Sequence, residues 1–102
     1  MFRRRFNEIV SRQLDLFRED YAGLLEQCDD AEARYAASDR DDAEELYGDY
    51  MDLVEAGTEV LADLRDNYAS TLADEVADEY IAAFNRGVVK RFPRFALELE
   101  DT

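Results

Sequence analysis

Between Val10 and Tyr35 the apolar residues fall at Val10, Leu14, Phe17, Tyr21, Leu24, Cys28, Ala31 and Tyr35, spaced alternately four and three apart. That spacing winds one narrow apolar seam along a helix, and such a seam is stable in water only when other helices lie against it. Leu16 and Leu25 widen the stripe, as in a bundle helix rather than a two-stranded coil. Phe2, Phe6 and Ile9 extend it backward, and no Pro occurs before Pro93. A single first helix is therefore expected from about Phe2 to Ala37, roughly 50 Å long at about 1.5 Å per residue.

Ser38-Asp39-Arg40-Asp41-Asp42 closes that helix and opens the next. Ser38 or Asp39 can accept orphan backbone N–H groups, and the acids after them suit the positive end of a helix. A short αα turn there makes the two helices antiparallel. The second helix carries the seam on through Tyr47, Tyr50, Val54, Gly57, Leu61, Leu64 and Tyr68. Gly57 lies on the seam itself, where close approach of another helix would give it a purpose. Around Asn67–Thr71 the pattern loosens, and Thr71 with Asp74 resembles a capping box, so a break or kink is favoured there. A last helical stretch carries Leu72, Val76, Tyr80, Ile81, Phe84 and Val88 and is expected to end at Gly87 and the Phe92-Pro93 step. Residues 94–102 are expected to form a tail, frayed or able to add a strand to a partner's sheet.

Twenty-six acids face twelve bases, a formal charge of −14 on 102 residues. Eleven of those bases are Arg and one, Lys90, is Lys. A surface of this kind repels itself in ordinary salt. At about 1 M salt the Debye length falls to roughly 3 Å and the repulsion is largely screened. An acidic, lysine-poor chain thus fits a salt-accumulating cytosol, although GC-rich coding also favours Arg over Lys. The halophilic reading predicts a higher thermal midpoint in several molar KCl than in low salt. An unchanged midpoint would refute it.

The chain contains no His, so the commonest general base and metal ligand is absent. One thiol, Cys28, cannot form an internal disulfide or a cysteine zinc site, and its place on the seam marks it as an inert core residue. The acidic runs Asp39–Glu45 and Asp74–Glu79 do not match a calcium loop and read as solvated helix faces. No phosphate-binding glycine loop and no nucleophile elbow is present. The sequence therefore points away from an enzyme, and no cofactor, metal or small-molecule substrate is expected. The opening stretch is basic but lacks the apolar run of an export signal, so a cytoplasmic location is expected.

The bases are unevenly placed. Arg3, Arg4 and Arg5 open the chain, Arg86, Lys90, Arg91 and Arg94 lie near its end, and residues 6–85 hold five bases against 23 acids. Both basic clusters are interleaved with Phe. The second suits a helix C-terminus, but three Arg in an opening helical turn oppose the helix dipole and require a negative partner. Arg3, Arg4, Arg5, Arg91, Phe92 and Arg94 are therefore the candidate partner-binding residues.

The expected architecture is all-α, an antiparallel hairpin or bundle of two or three long helices. Residues 1–93 form one helical domain and residues 94–102 the tail. Because a hairpin this small does not readily bury six Phe and six Tyr, the stripe needs a third helix, a second subunit or both, and a bundle completed by a second copy is expected. The expected function is that of a non-enzymatic interaction or scaffold protein with a protein partner. Two alternatives are a peripheral binder of anionic membranes through Phe2–Phe6 and a DNA-mimic inhibitor. Direct binding of nucleic acid is disfavoured at −14.

Overall fold

The computed structural model describes residues 5–100. They form five helices: α1 (Asn7–Asp20), α2 (Ala22–Ala36), α3 (Ala43–Ala69), α4 (Asp74–Arg91) and α5 (Pro93–Glu100). No strand occurs among the described residues, so the all-α class holds. The number of helices exceeds the two or three expected.

The first seam is buried largely as its spacing requires. Leu14 and Cys28 are fully enclosed, Val10, Phe17 and Ala31 nearly so, and Leu24 is half-buried. The helix that carries it, however, is broken. At Tyr21 the backbone leaves helical geometry, with φ −117° and ψ 29°, so the expected continuous rod from Phe2 to Ala37 becomes α1 and α2. The reason lies in their partners, since α2 packs along α3 whereas α1 packs along α4. A straight helix could not follow both. Gly23 lies just beyond the bend, and nothing stands within 4 Å of where its Cβ would be, so it contributes low helix propensity rather than room.

A short turn at Ser38–Asp42 joins α2 to α3, and of its two candidate caps only Asp39 accepts backbone N–H groups. Ser38 Oγ donates to the carbonyl of Tyr35 at 2.6 Å, and Asp39 Oδ1 accepts the N–H groups of Asp41 and Asp42 at 3.1 and 3.2 Å. The expected break after Asn67 is also present, but the hydroxyls there act differently. Ser70 and Thr71 donate back to the carbonyls of Asn67 and Tyr68, both at 2.7 Å, and so finish α3 instead of capping α4. α4 then runs back along α3.

Two expectations about the C-terminal part are corrected. Gly87 does not end a helix but lies inside α4, where α1 crosses closely. A Cβ there would stand 2.8 Å from Val10 Cγ1 and 3.0 Å from Leu14 Cδ1. Residues Pro93–Glu100, expected as a stop and a tail, form α5, which turns back into the crevice between α3 and α4. Pro93 occupies its first position, where a missing N–H costs nothing. Phe92, Phe95, Ala96 and Leu99 recur at helical spacing and are all buried. Phe95 meets Phe17 edge-on, with ring centroids 6.1 Å apart, and its ring fills the notch left by Gly57. Arg65, buried on α3, reaches the carbonyl of Leu99 at 3.3 Å and Asn85 Oδ1 of α4 at 3.1 Å. It therefore fixes the far end of α5.

Tyr80 is the largest fully buried side chain. Its ring lies 4.7 Å from that of Tyr68 and 5.5 Å from that of Phe6, and its hydroxyl donates to Gln13 Oε1 at 2.7 Å. Burial pushes the phenol up to about 12. An unfolded Tyr titrates near 10. Between those values the unfolded chain holds fewer protons than the folded one, so stability falls as pH rises through that window and is complete below it. At about 1.4 kcal/mol per pH unit, this one group removes about 2–3 kcal/mol by pH 12. Thermal midpoints taken from pH 9 to pH 11.5 should fall more steeply for the native protein than for Tyr80→Phe. Parallel curves would show that this phenol is not the alkaline weak point.

Candidate functional site

Of the six candidate binding residues, Arg91, Phe92 and Arg94 line one cavity, whereas Arg5 lies apart from them beside Glu79. Arg3 and Arg4 lie outside the described residues. Arg5 pairs with Glu79 at 3.3 Å and lies over the Phe6 ring, 5.8 Å from its centroid. Phe6 itself is buried against Tyr80 and belongs to the core. Arg91 pairs with Asp15 and donates to the carbonyl of Ser11 at 3.0 Å. Arg94 bridges Asp29 and Glu32 at 3.0 and 3.2 Å and lies over the Tyr50 ring. Phe92 is buried edge-on to Phe17, with centroids 5.2 Å apart. Arg5 thus ties the start of α1 to α4, Arg91 ties the middle of α1 to the end of α4, and Arg94 ties α5 to α2. In each case the counter-charge comes from the same chain.

Those contacts also show that α1 and α4 run in the same direction, since Arg5 meets Glu79 while Asp15 meets Arg91. The two helices lie side by side, and no other helix among the described residues lines their outer junction. A groove of about 980 Å³ results. Val10 and Leu14 of α1, with Ala83 and Gly87 of α4, form its floor, and Asn7, Ser11 and Ala82 flank it. The groove exists because its lining side chains are short. Gly87 brings α1 close, and Ala82 and Ala83 leave the trough unfilled.

The rim of this groove is charged. Arg86 and Lys90 line it from the second half of α4, and Glu79 lines it from the first half. Both cations are exposed, and neither forms an ion pair among the described residues. Val89, also in the lining, is 48% exposed. On a chain of charge −14, an apolar trough edged by unpaired cations is the local exception. Sequence reasoning grouped Arg86 and Lys90 with the basic end of α4 but did not separate them from Arg91 and Arg94. Helical spacing offered a signal, because positions 79, 82, 83, 86, 87 and 90 share one stripe.

A second cavity of about 640 Å³ lies between α2, α3 and the α4–α5 junction, lined by Asp29, Glu32, Tyr50, Arg91, Phe92 and Arg94 among others. Both of its cations are already paired, Arg94 with Asp29 and Glu32 and Arg91 with Asp15. Cys28 lies beneath, fully enclosed. Burial pushes its thiol up, against the opposing influence of Arg94, so it behaves as core rather than as a nucleophile. Among the described residues no group of three or more acids or thiols is arranged to hold a metal ion. No helix among them is long and apolar enough to cross a membrane.

No known family model matches this chain, and neither a curated protein nor a solved structure does.

Proposed function

We propose that this chain is a non-enzymatic interaction protein whose docking surface is the α1–α4 groove and whose partner is a protein. The observation that carries this reading is the apolar trough rimmed by Arg86 and Lys90 on an otherwise acidic surface. A helix laid along such a trough buries its apolar face on the exposed Ala82 and Val89, while acids on its flank meet the two cations. A sequence without His and with its one thiol buried supports a binding role over a catalytic one. On the same reading the protein works in a salt-accumulating cytosol, where its −14 charge is screened.

A photo-cross-linking side chain placed at Val89 tests the groove, and the same probe at Glu45 on the acidic face of α3 serves as control. In native cytosol at its own salt concentration, Val89 should give protein adducts and Glu45 should not. Adducts formed from Glu45 alone would overturn the assignment.

A further inference from the structure

We propose that the occupant of the α1–α4 groove is a second copy of this chain, bound so that the two α4 helices pair antiparallel about a two-fold axis. The inference rests on the docking reading above and names its partner.

The charges along α4 are divided. Asp74, Glu75, Asp78 and Glu79 fill its first half, and Arg86, Lys90 and Arg91 its second. Arg91 is already held by Asp15 and Ser11. Glu79, Ala82, Ala83, Arg86 and Lys90 all line the groove, and Glu75 is exposed one turn before Glu79. With the axis between Ala82 and Ala83, Glu79 of each copy comes opposite Arg86 of the other, and Glu75 comes opposite Lys90. In the same register Val89, nearly half exposed, comes opposite Val76, which is partly buried. The small Ala82 and Ala83 lie at the crossing point, where two helices must approach most closely. A parallel pairing would instead set acid on acid and base on base. The pattern is self-complementary in one sense only, which is what an isologous contact demands.

The exposed faces of α2 and α3 are dominated by acids and repel their own copies. Within the groove, the Glu79 side chain stays 30% exposed beside Arg5, open to a further cation. Arg86 and Lys90 have no counter-charge among the described residues, and an antiparallel copy brings acids to them.

Charge reversal tests the register. In sedimentation equilibrium the native protein should approach twice the mass of the chain as concentration rises. Glu79→Arg sets Arg against Arg86 at both symmetric contacts, and Arg86→Glu sets Glu against Glu79, so each variant should associate about tenfold more weakly or worse. An equal mixture of the two variants restores opposite charges at both contacts and should recover the native dimer. Circular dichroism on each variant separates lost pairing from lost folding, and the mixture rescues only folded chains. A native protein that stays monomeric across the concentration range, in both low salt and molar KCl, would overturn the proposal. So would variants that associate as well as the native chain, or a mixture that remains monomeric. If the native chain is monomeric while the Val89 probe still joins a different protein, the second copy is excluded and the docking groove stands. If Val89 gives no adduct of any kind, both fall.

Discussion

Alanine at position 57 should destabilise the protein when Phe95 is present and stabilise it when Phe95 is truncated. Position 57 lies inside α3, where Ala is favoured over Gly by about 1 kcal/mol on propensity alone. No glycine among the described residues has a positive φ, so the backbone does not require Gly there. What requires it is the ring of Phe95. A Cβ on residue 57 would stand 2.7 Å from Phe95 Cζ, well inside contact distance, and the ring is fully buried. Overpacking of this kind costs about 1–3 kcal/mol, which outweighs the propensity gain. Phe95→Ala alone removes a buried ring and should cost about 3–5 kcal/mol, a large share of the stability of a small domain. In that background the methyl of Gly57→Ala projects into the space the ring has left. The four proteins form a thermodynamic cycle readable by urea unfolding. If Gly57→Ala has the same effect with and without Phe95, the notch does not hold α5 in place.

That notch marks where the sequence was readable and where it was not. Gly57 stood on the seam, so a close approach was foreseeable, but the group that approaches it was hidden. Phe95 falls in the expected tail because a Pro at position 93 signals the end of a helix. Pro93 is equally a start, and Phe92, Phe95, Ala96 and Leu99 repeat at helical spacing behind it. With α5 in place, the chain buries Phe6, Phe17, Phe84, Phe92 and Phe95 by itself. The shortage of core that first suggested a second copy is therefore met largely from within. The case for pairing now rests on the charge order along α4 instead. The bend at Tyr21 was invisible for a different reason. Heptad spacing records that a face is buried but not which helix buries it, and here the covering helix changes from α4 to α3 midway. Gly87 was misjudged by the same logic, since a glycine that admits a neighbouring helix looks in sequence like one that ends its own. The α1–α4 groove was harder still, because it is defined by the shortness of side chains on two helices distant in sequence.

Arg65 was also unreadable, a lone base in an acidic stretch, yet replacing it should be among the most damaging single changes. Its side chain is about 5% exposed, and its Nε donates to Asp66 Oδ1 at 2.8 Å. Asp66 is more than half exposed, so that ion pair contributes little by itself. The weight lies on the other donor, Nη1, shared between Asn85 Oδ1 and the carbonyl of Leu99. The Leu99 carbonyl belongs to the last turn of α5, where a cation offsets the negative end of the helix. Arg65→Met keeps most of the volume but leaves both acceptors unpaired, at about 1–3 kcal/mol for each buried one. A loss of about 2–4 kcal/mol is therefore expected on that basis, together with faster hydrogen exchange in α5. Arg65→Lys retains the charge but not the fork that reaches Asp66 on one side and Asn85 and Leu99 on the other, and should fall between the two. An Arg65→Met protein within about 0.5 kcal/mol of native, the ordinary range for surface substitutions, would mean that the apolar contacts of Phe95 and Leu99 hold α5 without this clamp.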